Sequence, residues 1–112
     1  MKKSVIVLAV AAFSQNAFAQ TLQENIKKTD NENFEQAAAG FRALIAKEPN
    51  KGENYFYYGE NFFRSGDIDS ASIMYNKGIE VNATSPFNYI GAGKVLLNQN
   101  KVADAKAQFF RA

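Results

Sequence analysis

Between residues 55 and 62, Tyr55, Tyr58, Gly59 and Phe62 recur at i, i+3, i+4 and i+7, the spacing that lines one face of a helix. Ile68, Ala71, Tyr75 and Gly78 form a second stripe with the same helical period. Between the stripes lies Arg64-Ser65-Gly66-Asp67, with a glycine able to end one helix and an aspartate able to cap the next. Two amphipathic helices joined by so short a turn must lie antiparallel. Small residues at Gly59 and Ala71 allow close approach, and Tyr55, Phe62 and Tyr75 fill the remaining volume. A glycine inside a helix costs about 1 kcal/mol relative to alanine. Its recurrence at Gly59 and Gly93 therefore points to packing that demands it.

The pattern repeats. Shifted by 34 residues, the chain matches itself at Ala37, Ala71 and Ala105, at Phe41, Tyr75 and Phe109, and at Phe34, Ile68 and Val102. Tyr55 pairs with Tyr89, Gly59 with Gly93, Phe62 with Leu96 and Ile45 with Ile79. Punctuation agrees with the period. Thr21-Leu22-Gln23-Glu24 has the form of a capping box. Pro49, followed by Asn50 and Gly52, ends a helix expected from about Asn33 to Lys47. Ser85-Pro86 reads as an N-cap followed by a proline at the first helical position. Nothing after the leader reads as strand, so the fold class expected is all-α.

Residues 1–19 have a different character. Lys2 and Lys3 form a positive head, Val5–Phe13 an apolar run, and Ala17 and Ala19 an A-x-A site, with cleavage between Ala19 and Gln20. The apolar run is far shorter than the roughly 20 residues that span a bilayer. The expectation is a removable signal peptide and an exported protein, periplasmic or extracellular and associated with the bacterial envelope.

Composition then narrows the chemistry. Removing Lys2 and Lys3 from the 13 Lys and Arg leaves as many cations as the 11 Asp and Glu, so the basic footprint of a nucleic-acid binder is missing. The chain has no Cys and no His, which excludes Cys/His zinc sites, Cys nucleophiles and Ser-His-Asp triads. Asn82-Ala83-Thr84 matches a glycosylation acceptor but falls in an inter-repeat turn. Asp67 and Asp69 are explained as a helix cap and a first-turn charge, without a metal.

Together these residues resemble the tetratricopeptide repeat. Tyr55, Tyr58, Gly59, Phe62, Gly66, Ala71, Tyr75 and Gly78 stand at that family's signature places in residues 52–85, the complete repeat. Residues 86–112 keep Tyr89, Gly93, Leu96, Ala105 and Phe109. Residues 20–51 keep only the second helix, with Ala37, Phe41, Leu44 and Pro49, while Thr21–Lys28 is degenerate. Ala83 replaces the usual closing proline of the complete copy. The resemblance implies helix–turn–helix units stacked as an α-solenoid, a right-handed superhelix whose first helices line a concave groove.

It also implies a function. Family members hold extended or helical peptides in that groove, whose places fall here on Phe56, Glu60, Phe63, Arg64, Phe87, Ile90, Lys94 and Asn98. Phe56 and Phe63 lie off the Tyr55/Tyr58/Phe62 stripe, which suits binding anchors; packing against the next helix pair is the competing role. Glu60 argues against the Lys/Arg/Asn cluster with which some members clamp a partner's C-terminal carboxylate. The expectation is a non-enzymatic scaffold or adaptor with a protein or peptide partner, no nucleic acid and no small-molecule cofactor. The alternative is the non-catalytic N-terminal segment of a longer enzyme or sensor. A carboxylate-pair hydrolase is disfavoured, because Glu60 is the only carboxylate assigned to the groove. Ala112 falls about a turn before the family's second helix would end, with no polar capping helix after it. The expectation is therefore the N-terminal part of a longer array or a truncated product; the alternative is a small protein that closes its open C-terminal end by self-association.

Overall fold

A computed structural model describes residues 22–112. The leader, its Ala19/Gln20 site and Thr21 of the capping box lie outside the described residues. Six helices follow in order: α1 (residues 22–30), α2 (Phe34–Lys47), α3 (Gly52–Ser65), α4 (Ile68–Val81), α5 (Pro86–Asn98) and α6 (Val102–Arg111). No strand occurs among the described residues.

Each helix pair turns in the same way. Within two residues of the end of the first helix, the chain adopts a positive φ in all three turns, at Glu32 (φ 62°), Gly66 (φ 90°) and Asn100 (φ 62°). The next amide then reaches back across the turn, from Asn33 to Lys28, Asp67 to Phe62 and Lys101 to Leu96, at 2.8, 2.9 and 2.8 Å. These bonds satisfy carbonyls that a helix end would otherwise leave open. Asp67 also caps α4 as expected, its carboxylate accepting from the Ser70 amide at 3.1 Å. Ser85 stands at the N-cap of α5 with Pro86 following, but its hydroxyl makes no capping bond.

Two clusters form the core. Ala37, Ala38, Phe41 and Tyr58 gather Leu22, Ile26, Ile45, Tyr57, Phe62 and Met74 around them. Ala71, Tyr75, Ala92 and Val95 gather Phe56, Phe62, Phe63, Ile68 and Ile79. Ala71 and Tyr75 are fully buried. Tyr75 lies between two glycines: a Cβ on Gly59 would come within 2.6 Å of its ring, and one on Gly91 closer still. The glycines are where two helices press on one aromatic ring.

The stack also fixes which side is hollow. The backbones of α3 and α5 approach each other closely, whereas those of the second helices α2, α4 and α6 stay further apart. Inner elements crowd and outer ones splay in a curved stack. The first helices therefore line the concave face.

Candidate functional site: a concave face built by the first helices

Residues one repeat apart fall side by side on neighbouring first helices, and the contacts confirm this register. Tyr55 and Tyr89, 34 residues apart, each donate a hydroxyl hydrogen bond to the preceding inter-repeat turn, to Pro49 and Ala83 carbonyls, both at 2.8 Å. Asn54 and Asn88 are buried at one such offset; Asn54 donates to the Glu48 carbonyl of the preceding turn (3.2 Å), and Asn88 crosses to the Gly52 carbonyl at the head of α3 (3.1 Å). Asn61 joins three elements: it accepts from the Thr29 hydroxyl at 2.8 Å and donates to the Phe34 carbonyl at 3.0 Å. None of these polar residues stood out in the sequence. Asn54 and Asn88 could have been found by the 34-residue shift itself.

The groove residues expected from the sequence come together in part. Phe56 and Phe87 have ring centroids 5.5 Å apart, and Phe56 also meets the Tyr75 ring at 6.0 Å. Lys94 donates to Glu60 at 2.8 Å and sits 4.6 Å from the centre of the Phe63 ring. Arg64 donates to Asp30 at 2.7 Å. Phe87 and Ile90 are exposed, at 55% and 39%. Ile90 and Asn98 share in none of these pairs, and Asn98 is exposed on the last turn of α5.

Two expectations need correction. Phe56 and Phe63 are not set apart from the core, for both are half-buried against the Tyr75 cluster. A first helix is covered on three sides here, by its own partner, the preceding pair and the following pair, so one helical stripe underestimates its buried surface. Glu60 is not the only carboxylate on the face either. Asp30 lines the same recess, together with Ile26, Thr29, Phe56, Tyr57 and Arg64. The degenerate first helix concealed it, although Asp30 is one period from Arg64.

Among the described residues, Tyr75 supplies the one strong electrostatic perturbation. Burial first, then the hydrogen bond and negative charge of Glu60, push its hydroxyl well above the usual tyrosine range. Its proton stays on the ring oxygen and is donated to Glu60. Glu60 Oε1 thus receives both the buried hydroxyl and the Lys94 ammonium. No cluster of three or more potential metal-ligating residues occurs among the described residues.

No known family model and no curated protein matches the sequence. Solved structures do match in shape. The type III secretion translocator chaperone SycD of Yersinia enterocolitica superposes with a TM-score of 0.79 at 20% identity, over 86% of this chain and 73% of SycD. SycD in complex with a peptide of the translocator YopD gives 0.78, with the same identity and coverage. MamA of Desulfovibrio magneticus RS-1, from residue 41 onward, gives 0.76 at 12% identity, over 87% of this chain and 55% of that one. These likenesses show the fold: a stack of helix pairs of the tetratricopeptide-repeat type.

Proposed function

We propose that this protein is a non-enzymatic scaffold that holds a segment of a partner protein across its concave face. One observation carries the reading: Phe87 and Ile90 stand exposed on the inner helix α5, beside the half-buried Phe56. Burying apolar side chains there would contribute about 25 cal/mol per Å² removed from water. The likeness to SycD, whose structure includes a bound peptide, supports a peptide-sized occupant. The groove comprises Phe56, Glu60, Phe63, Arg64, Phe87, Ile90, Lys94 and Asn98, extended by Ile26, Asp30 and Tyr57. The adaptor acts outside the cytoplasm, in the bacterial envelope, and takes no nucleic acid or cofactor. No helix among the described residues is long and apolar enough to cross a membrane.

Phe87 and Ile90 make the better test than Phe56, whose truncation would also disturb the core. Ile90→Asp and Phe87→Ala should each weaken capture of a partner from an envelope extract by about 1–2 kcal/mol. Their melting curves should stay near that of the parent. Full capture by folded variants would overturn the reading. Export is checked by intact mass after expression in a bacterial host, which should show loss of residues 1–19 and a start at Gln20.

The α6 end gives the reading a second element. Val102, Phe109 and Phe110 are exposed there, Phe110 at 89%. Self-association through this face should appear as concentration-dependent oligomers in ultracentrifugation, abolished by Phe110→Glu. Oligomers that persist in that variant would place the contact elsewhere.

A further inference from the structure

The concave face has two halves. Positions 22, 56 and 90, at one 34-residue offset, carry Leu22, Phe56 and Ile90, with Phe87 beside them: an apolar row. The next two rows, toward the C-terminal ends of the same helices, carry Ile26, Glu60 and Lys94, then Asp30, Arg64 and Asn98. Every charge in those two rows is already matched. Arg64 on α3 pairs with Asp30 on α1, and Lys94 on α5 pairs with Glu60 on α3, each across one period. Glu60 is further held by the Tyr75 hydroxyl, and Lys94 rests over the Phe63 ring. Glu53, exposed at the head of α3 in a recess shared with Phe87, marks the outer edge.

We infer that this face selects an apolar segment and is nearly blind to its charge. The inference rests on the groove reading above and specifies its ligand. An acidic ligand that reaches Arg64 or Lys94 also meets the carboxylate of Asp30 or Glu60 already paired there, so repulsion offsets much of the attraction and the net gain is small. A neutral pair also projects a far weaker field than a lone charge, and salt screens what remains within about 10 Å. Apolar side chains meet no such competition on Leu22, Phe56, Phe87 and Ile90. The occupant that fits is a segment with two or more aliphatic or aromatic side chains along the row and no required charge.

The probe is a displayed library of random peptides about a dozen residues long, long enough to cross three helices in extended form. Selection on the protein should enrich Leu, Ile, Val and Phe, with winning peptides near zero net charge. Three synthetic forms of one winner, with neutral, acidic and basic flanks, should differ in Kd by less than about threefold. The neutral form should bind within about twofold between about 50 and 500 mM sodium chloride. Asp30→Asn releases Arg64 and should raise the acidic-to-neutral affinity ratio about threefold, an effect that salt removes. Winners rich in acidic or basic residues, or a steep loss of binding with salt, would overturn the inference. Binding abolished by Ile90→Asp yet dependent on ligand charge leaves the groove reading standing and this inference refuted. Binding untouched by Ile90→Asp, or no enrichment at all, refutes both.

Discussion

The first and second helix pairs reach the same close packing by opposite distributions of bulk. In the second pair the first helix has no side chain at Gly59, and the second helix fills the gap with the Tyr75 ring. The third pair repeats this with Gly93 and Phe109. In the first pair, the place of Gly59 is taken by Asn25, which is 1% exposed. Room for it comes from α2, where Gly40 faces the Asn25 amide so closely that a Cβ could not be added without displacing it. What the repeat preserves is the separation of the helices, and either helix can carry the small residue. A pair that looks degenerate by residue type is therefore compensated in space.

Four predictions test that comparison. The largest effect should come where a ring is gripped from both sides. Tyr75 touches Gly59 of its own pair and Gly91 of the next, and its ring is fully buried. Gly91→Val should wedge α5 away and cost about 3 kcal/mol. The urea midpoint should fall with an unchanged slope, since the same surface is exposed on unfolding. A wild-type midpoint would mean the α4–α5 junction is looser than its geometry.

Next is Gly40→Ala, expected to cost about 1–2 kcal/mol, less because the obstacle is an amide rather than a rigid ring. Asn25→Ala should rescue it. The Asn25 amide nitrogen has no hydrogen-bond partner, so its removal forfeits little. A double-mutant cycle should show coupling of about 1 kcal/mol between the two positions. Strict additivity would show that bulk has not been exchanged between the helices.

The third prediction uses the charge beneath the second pair, which has no counterpart at Phe41 in the first. The Tyr75 hydroxyl titrates above its unfolded value of about 10. Above that pH the unfolded chain loses the proton while the native chain keeps it, so the native state binds more protons. Stability is then intact below about pH 10 and falls as pH rises beyond it, by up to about 1.4 kcal/mol per pH unit. Tyr75→Phe should flatten this alkaline slope. A slope identical to the parent's would assign it to other groups.

Much of this architecture was written in residue type and period. The second and third pairs, their turns and the Asp67 cap follow from apolar spacing and a glycine, because a helix pair that must pack closely has few solutions. The inner face was less legible. The choice between anchor and packing at Phe56 and Phe63 stayed open because a helical stripe assigns one buried side, whereas α3 is covered by α2, α4 and α5. Asp30 and Ile26 went unnoticed because α1 lacks the glycine and aromatics that would have set its register. Asn25, Asn54, Asn61 and Asn88 read as surface or turn residues by type, yet all are buried. Asn54, Asn61 and Asn88 are placed by the carbonyls of Glu48, Phe34 and Gly52 near helix junctions, and Asn25 by the room at Gly40, none of which a single-helix pattern exposes.

The smallest effect is at the turns, where the comparison runs through all three pairs. The left-handed position is filled by Glu32, Gly66 and Asn100, one period apart, with φ of 62°, 90° and 62°. For a residue with a Cβ this conformation costs about 1–2 kcal/mol, less for asparagine, whose short polar side chain tolerates it. Glycine avoids that cost but loses more chain entropy on folding, about 0.5–1 kcal/mol. Glu32 is therefore the strained member of the series, and Glu32→Gly should stabilise the protein by about 0.5–1 kcal/mol. Asn100→Gly should be nearly neutral, and Gly66→Ala should cost about 1 kcal/mol. The order of the three urea midpoints is the measurement. If Glu32→Gly lowered stability, the first turn would be relaxed in its left-handed form, held by something more than the shared backbone bonds. The first pair would then differ from the others in its turn as well as in its packing.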